Sequence, residues 1–373
     1  MKLFDVYPLF PIEPTKALGS WLWDKNGQKY LDLYGGHAVI SIGHSHPTFV
    51  GAITGQLEKI SFYSNSVQNS LQEKLAEKLG QLSGYPDYGL FLCNSGAEAN
   101  ENALKLASFA TGRKKIIAFK KGFHGRTSGA VAVTDNPKIV SPFNGSHEVL
   151  FLPFNDESAL HKALQDDVAA VIIEGIQGVG GIHVADDGFL QLASRKCKEH
   201  GALLILDEIQ SGYGRTGKFF AHQFSGIQAD LITTAKGMGN GFPVGAVLIH
   251  PDIKPWHGML GTTFGGGYLA CAASLAVLEV IEKEKLIQHA ATIGEHWIKR
   301  LKSFDQILDV RGRGLMIGFD LPESQKDLRG KLLDKYRIFT GEAKPNTVRL
   351  LPSLAISEED GNGLFDALNQ ELK

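Results

Sequence analysis

The sequence predicts an α/β fold, a mostly parallel sheet covered by helices on both faces, with a smaller α+β domain beside it. Three observations point this way. Short apolar runs recur between about 89 and 249 and alternate with helical patterns, as buried parallel strands do. Glycine is abundant, 43 of 373 residues, and many glycines cluster where those runs end, as tight turns and close ligand approach require. A length of 373 residues exceeds one ordinary domain and suggests a large domain plus a small one.

The elements follow in order. SWLWDKNGQKYLDLY (20–34) reads as a hairpin around DKNG. QNSLQEKLAEKLGQL is an amphipathic helix, with leucines at 71, 75, 79 and 82. YGLFLCNSG is a short strand that runs straight into the helix AEANENALKLASFA. KKIIAF and VAAVIIEG are strands, and GFLQLASRKCKEHG is a helix closed by Gly201. ALLILDE, DLITTAK and PVGAVLI are strands. Near 270 the pattern changes. YLACAASLAVLEVIEKEKL opens a long helical stretch, DVRGRGLMIGFDL reads as one glycine-broken strand, KPNTVRLLPSL as another strand, and a helix ends the chain.

Composition narrows the function classes. Charged residues make up 21% and the net charge is −2, so nothing points to nucleic acid or an anionic membrane. No apolar run approaches a bilayer span, and MKLFDVYPLFPIEP lacks the basic start and long apolar core of a signal peptide. Cys93, Cys197 and Cys271 are too few and too scattered for a disulfide framework or a zinc site, so a cytoplasmic protein is expected.

Ligands of open α/β sheets bind at the carboxyl ends of strands. Lys236, in TTAKGMGNGFPVGA, stands alone: no other charged residue lies between Asp230 and His250. It is either a lysine reaching out of a strand end or a desolvated, nucleophilic amine. Asp207 closes the preceding apolar strand and needs a cationic partner or a ligand's positive nitrogen. Ser95, Gly96 and Ala97 start a helix. They form either a plain N-cap or an anion cradle. A lysine, an aspartate and a helix start together are what pyridoxal 5'-phosphate requires: an amine for its aldehyde, a carboxylate for its ring nitrogen and amides for its phosphate. In GFHGRT, Phe123 is a core residue or a ring-stacking one, and Arg126 a surface ion or a carboxylate clamp. Thr262 and Thr263 in GTTFGGG, and Arg349 in VRLLPSL, are further candidates for phosphate and carboxylate contact. GVGGIH (178–183) and RGRGLMIG fail the dinucleotide fingerprint at His183 and Ile317. His44 and His46 in GHSHP read as a polar turn with no acidic or sulfur partner nearby, and no metal is expected.

Taken together, WLWDKNGQKYLDLYGG, NSGAEANENALKLA, GFHGRT, EGIQGVGG, LILDEIQSGYGRTG, TTAKGMGNGFPVGA, GTTFGGG and VRLLPSL resemble the class III pyridoxal-phosphate aminotransferases of the acetylornithine and ornithine aminotransferase group, over nearly the whole chain. The resemblance implies fold type I with a seven-stranded large domain (41–270), and a small domain combining residues 1–40 with 271–373. It implies a homodimer with active sites at the interface. By motif, Lys236 would be the Schiff-base lysine and proton shuttle, with Asp207 at the pyridine nitrogen. Gln210 would lie near the phenolic oxygen, and Phe123 on the ring. Gly96 and Ala97 would hold the phosphate, as would Thr263 from the partner subunit, with Thr262 near the substrate. Arg126 would bind the α-carboxylate of N-acetylornithine or another N-acylornithine, and Arg349 that of glutamate and 2-oxoglutarate. The implied reaction belongs to arginine biosynthesis. Alternatives are an ornithine δ-aminotransferase or another ω-amine transaminase, an aminomutase that would need no 2-oxoglutarate, and a silent cofactor-binding protein, which Lys236 and Asp207 argue against. There are departures. Val179 replaces a glutamate that commonly pairs with the Arg349-type arginine, Ile40 an asparagine, and Gly267-Tyr268 an Asn-Pro pair.

Overall fold

The computed structural model describes residues 1–372. It opens with three antiparallel strands, β1 (Pro14–Leu18), β2 (Trp21–Asp24) and β3 (Lys29–Asp32). The DKNG hairpin forms because Asp24 Oδ1 accepts from the amides of both Asn26 and Gln28 at 2.9 Å, and because Gly27 takes a left-handed φ of 79°.

The large sheet uses β4 (Gly89–Cys93), β5 (Lys115–Phe119), β6 (Val149–Leu152), β7 (Val168–Glu174), β10 (Leu203–Asp207), β11 (Leu231–Thr234) and β12 (Gly245–Ile249). Its order is β4-β12-β11-β10-β7-β5-β6. The pairs β11–β10, β10–β7, β7–β5 and β5–β6 are parallel, and β12 runs antiparallel to both its neighbours. Every residue of β7 is buried, which is why VAAVIIE reads as an unbroken apolar run rather than an alternating one. Helices Gly96–Thr111 and Asp187–His200 connect the strands. Gly201, at φ 61°, ends the second of these.

The chain continues through a small hairpin, β8 (Ile176–Gln177) and β9 (His183–Val184), which lies just after β7. Helices Tyr268–Lys283 and Leu286–Leu301 lead to β13 (Asp309–Arg313), β14 (Met316–Asp320), β15 (Ile338–Phe339), β16 (Gly341–Ala343) and β17 (Thr347–Leu350). Strand β15 pairs in parallel with β3, so the two ends of the chain share one sheet. The others form a sheet of order β13-β14-β17-β16.

Three expectations change. DVRGRGLMIGFDL is not one broken strand but the hairpin β13–β14, which turns at Gly314 (φ 55°). KPNTVRLLPSL is extended in the sheet only over Thr347–Leu350. His44 and His46 do have acidic partners: Asp32 at 2.9 Å and Glu284 at 3.0 Å, both remote in sequence. Among the described residues, no helix is long and apolar enough to cross a membrane.

Candidate active site

Strands β10 and β11 lie side by side with Asp207 opposite Thr233, and the chain reaches Lys236 two residues beyond β11. Both residues line one cavity of about 400 Å³ at the carboxyl ends of the parallel strands. Ser95, Gly96, Ala97, Phe123, Arg126 and Gln210 line it too.

The helix Gly96–Thr111 begins at this cavity. Ser95 Oγ accepts from the amide of Glu98 at 3.2 Å, while Glu98 Oε2 accepts from the amide of Asn94 at 2.8 Å. This reciprocal capping leaves the first two helical amides, of Gly96 and Ala97, without intrahelical partners. A Cβ at position 96 would lie 2.8 Å from Ile209 Cδ1, so only glycine lets the helix start this close to the β10 loop. The result is a cradle of amides at a positive helix end, suited to an anion.

Asp207 is buried, and its partners were not legible in the sequence. His124 Nδ1 and Asn100 Nδ2 each lie 2.7 Å from Asp207 Oδ2, and the amide of Ile209 donates to Oδ1 at 3.1 Å. Thr233 Oγ1 donates to Asn100 Oδ1 at 2.7 Å, which fixes the amide with its NH₂ toward Asp207. Burial alone would push the His124 proton off, but the hydrogen bond and charge of Asp207, with Glu174, raise its pKa above the usual histidine value. The buried side chain is therefore fixed in orientation, with Oδ2 saturated and Oδ1, which accepts one amide, left to face a cationic nitrogen.

Lys236 sits at a left-handed φ of 44°, in a loop pinned by Asn240 and Ser41. Asn240 Oδ1 accepts from the amides of Ser41 and Ile42, and Ser41 Oγ donates to Gly237 O at 2.7 Å. Burial lowers the pKa of the lysine. Asp207 and Glu174 oppose that shift, and Arg349 adds to it. Glu174 was also missed. It is buried, it accepts from the amides of Phe123 and Gly178, and burial raises its pKa against the charge of His124.

Arg349 is buried on β17. It donates to Gly178 O at 2.9 Å, to Glu342 O at 2.8 Å and to Tyr34 Oη at 3.4 Å. These acceptors are neutral, and Val179 beside them, which also lines the cavity, offers no charge. Gln210 Nε2 donates to His37 O at 3.1 Å, and its buried Oε1 has no partner among the described residues. Residues 35–38 carry φ values of 55°, 55°, 68° and 64°, a single left-handed turn closed by Ala38 N to Tyr34 O and Val39 N to Gly35 O. Such backbone costs L-residues roughly 1–2 kcal/mol each.

Thr262 and Thr263 are not brought into this cavity. Thr262 Oγ1 accepts at 3.2 Å from Nδ2 of Asn94, which does line the cavity, and Thr263 is exposed. Among the described residues, no cluster of three or more histidine, cysteine or carboxylate side chains could hold a metal.

The arrangement fits pyridoxal phosphate: an anion cradle, a fixed carboxylate, an aromatic wall at Phe123, a desolvated amine and an unpartnered Gln210 oxygen all face one space. Comparison with known proteins agrees. The family model for "Aminotransferase class-III" matches residues 5–372. The chain is 43% identical to the acetylornithine aminotransferase of Archaeoglobus fulgidus, over 96% of this chain and 95% of that one. It superposes on the ornithine aminotransferase of Toxoplasma gondii with a TM-score of 0.92 at 28% identity, covering 99% of this chain and 92% of that one. The acetylornithine aminotransferase of Elizabethkingia anophelis gives 0.84 at 30% identity, covering 99% and 95%.

Proposed function

The chain belongs to the class III aminotransferases, which depend on pyridoxal phosphate, and on that premise we propose that it moves the δ-amino group of an N-acylornithine to 2-oxoglutarate. The products are the N-acyl glutamate semialdehyde and glutamate, in arginine biosynthesis. N-acetylornithine is the leading donor, ahead of N-succinylornithine and free ornithine. The observation that carries the reading is the pairing of Lys236 and Asp207 at adjacent strand ends in one cavity, in a chain 43% identical to an acetylornithine aminotransferase.

When bound, pyridoxal phosphate supplies an electron-withdrawing ring that accepts the electron pair left when a carbon–hydrogen bond beside nitrogen breaks. The protein's residues do the rest. The Gly96 and Ala97 amides would hold the cofactor phosphate, and Phe123 would pack against its ring. Asp207, held by His124 and Asn100, would favour a proton on the ring nitrogen. The Lys236 amine, its pKa lowered by burial, would take the proton from the substrate's amine-bearing carbon and pass it to the cofactor side of the shared nitrogen. Arg126, exposed at the cavity rim, binds the α-carboxylate of the donor. Arg349, next to the lining residue Val179 but not itself on the cavity wall, binds that of the acceptor.

The proposal includes a homodimer with shared sites. Phe62 and Phe264 lie 5.3 Å apart with 41% and 64% of their surface exposed, an apolar face made by two loops, of which that of Phe264 carries Thr263. The compartment we propose is the cytoplasm, consistent with three buried, unpaired cysteines.

The test is the absorbance of the cofactor-loaded protein before and after N-acetylornithine is added without any 2-oxo acid. Loss of the visible band and gain of a near-ultraviolet one supports the reading. Parallel samples with N-succinylornithine and ornithine rank the donors. A visible band that persists with all three removes the assignment.

A further inference from the structure

The left-handed turn at residues 35–38 begins with two glycines, which take that backbone freely, and then continues with His37 and Ala38, which do not. Strained backbone at the edge of a site points to a side chain that the site uses. The far end of the turn borders the cavity. Val39 lines the cavity, and Gln210 donates to His37 O. The imidazole of His37 packs on Tyr34, with ring centroids 4.7 Å apart, and Tyr34 Oη in turn accepts from Arg349. Tyr34 thus stands between the two basic groups and orients both. His37 itself is exposed, so its ring nitrogens are free to meet a ligand.

We propose that His37 is a specificity-determining residue, the second hydrogen-bond donor to the carboxylate that Arg349 binds. This rests on the reading of Arg349 as the acceptor's carboxylate site. The imidazole has two charged neighbours, Lys236 and Arg349, and both are cations. Partial desolvation where the ring packs on Tyr34, although an edge stays exposed, lowers its pKa below the ordinary histidine value, and the two cations add to that shift. In the free protein the protonated imidazole is thus disfavoured. A carboxylate placed between Arg349 and His37 reverses the local field and favours the protonated ring. Binding of the acceptor then takes up a proton, and its affinity rises as pH falls. The neutral acyl end of the donor gains nothing from this pair, so His37 discriminates for an acidic 2-oxo acid.

The test measures each half-reaction separately in cofactor-loaded wild type, H37L, H37Q, H37G and R349Q, with the visible cofactor band confirming that each variant is folded. H37L is expected to raise the KM for 2-oxoglutarate about tenfold, a larger change than in the KM for N-acetylornithine. H37Q, which keeps a neutral donor, should recover part of the loss. H37G should lose binding like H37L while unfolding no more easily than wild type, because glycine relaxes the turn. The wild-type KM for 2-oxoglutarate should fall from pH 8.5 to 6.5, and H37L and H37Q should flatten that slope. An unchanged 2-oxoglutarate KM in H37L, or equal losses in both half-reactions, overturns the proposal. If R349Q also leaves that KM unmoved, the reading of Arg349 fails first. If R349Q raises it and H37L does not, only the role of His37 fails.

Discussion

His124 and Asp207 show how one hydrogen bond couples the site to pH. The folded pKa of His124 is raised above its ordinary 6.5 by Asp207. The stabilisation from the pair is thus fully present below about pH 6.5 and is lost as pH rises through the raised value. In cofactor-free protein, the stability gap between wild type and His124→Asn should shrink as pH climbs from 6 to 9. Urea unfolding across that range checks it, and a gap that widens with pH contradicts it. Val179 invites a second substitution. The guanidinium of Arg349 meets only carbonyl oxygens and a phenol, and a carboxylate nearby would bind it about twice as strongly as a neutral acceptor does. Val179→Glu should therefore raise the ratio of δ-amine to α-amine reaction roughly tenfold, the equivalent of about 1.4 kcal/mol. Half-reaction rates with an N-acylornithine and with glutamate measure it, and an unchanged ratio means that the neutral acceptors already mask the arginine.

The helix Gly96–Thr111 carries the anion cradle, and its cap is Ser95. Ser95→Ala should cost about 1 kcal/mol of stability and weaken the hold on the cofactor phosphate. Urea midpoints and the rate of cofactor loss in dialysis would show both effects. A loss of stability without faster cofactor loss would confine Ser95 to capping. This element was plain in the sequence because a serine, a glycine and an amphipathic run follow an apolar strand directly. Other elements were not. The helix Pro47–Leu57 has no fully buried residue, so its sequence shows no strong periodic apolar face. Strands β15 and β16 have two and three residues, too few for an alternation to register. Among site residues, Lys236 stood out as a lone charge after an apolar run, and Asp207 as a carboxylate that closes one. His124, Asn100 and Glu174 gave no such signal. His124 is 83 positions from Asp207 and Asn100 is 107, and only the packing of strand ends brings them together.

At the scale of the molecule, one buried cation ties the parts together. The guanidinium of Arg215 donates to Pro352 O, and at 3.4 Å to Leu315 O and to Ile40 O. It thus joins the loop after β10 to the C-terminal region and to the segment at Ile40–Ser41 that pins the lysine loop. Arg215→Met would leave these carbonyls unpartnered, at about 1–3 kcal/mol for each one that stays buried. The expected result is lower stability and unfolding curves that no longer coincide between tryptophan fluorescence and far-ultraviolet circular dichroism. Coincident curves with an unchanged midpoint would show the staple to be dispensable. The pairing of β3 with β15 has a consequence during synthesis. Leu31 emerges from the ribosome 307 positions ahead of its partner Ile338. The first three strands therefore wait with an open edge until the last tenth of the chain is translated, and Arg349 arrives after that. A polypeptide cut short before residue 338 would carry the lysine and the aspartate yet keep a bare strand edge, a template for aggregation and a mark for disposal by the cell.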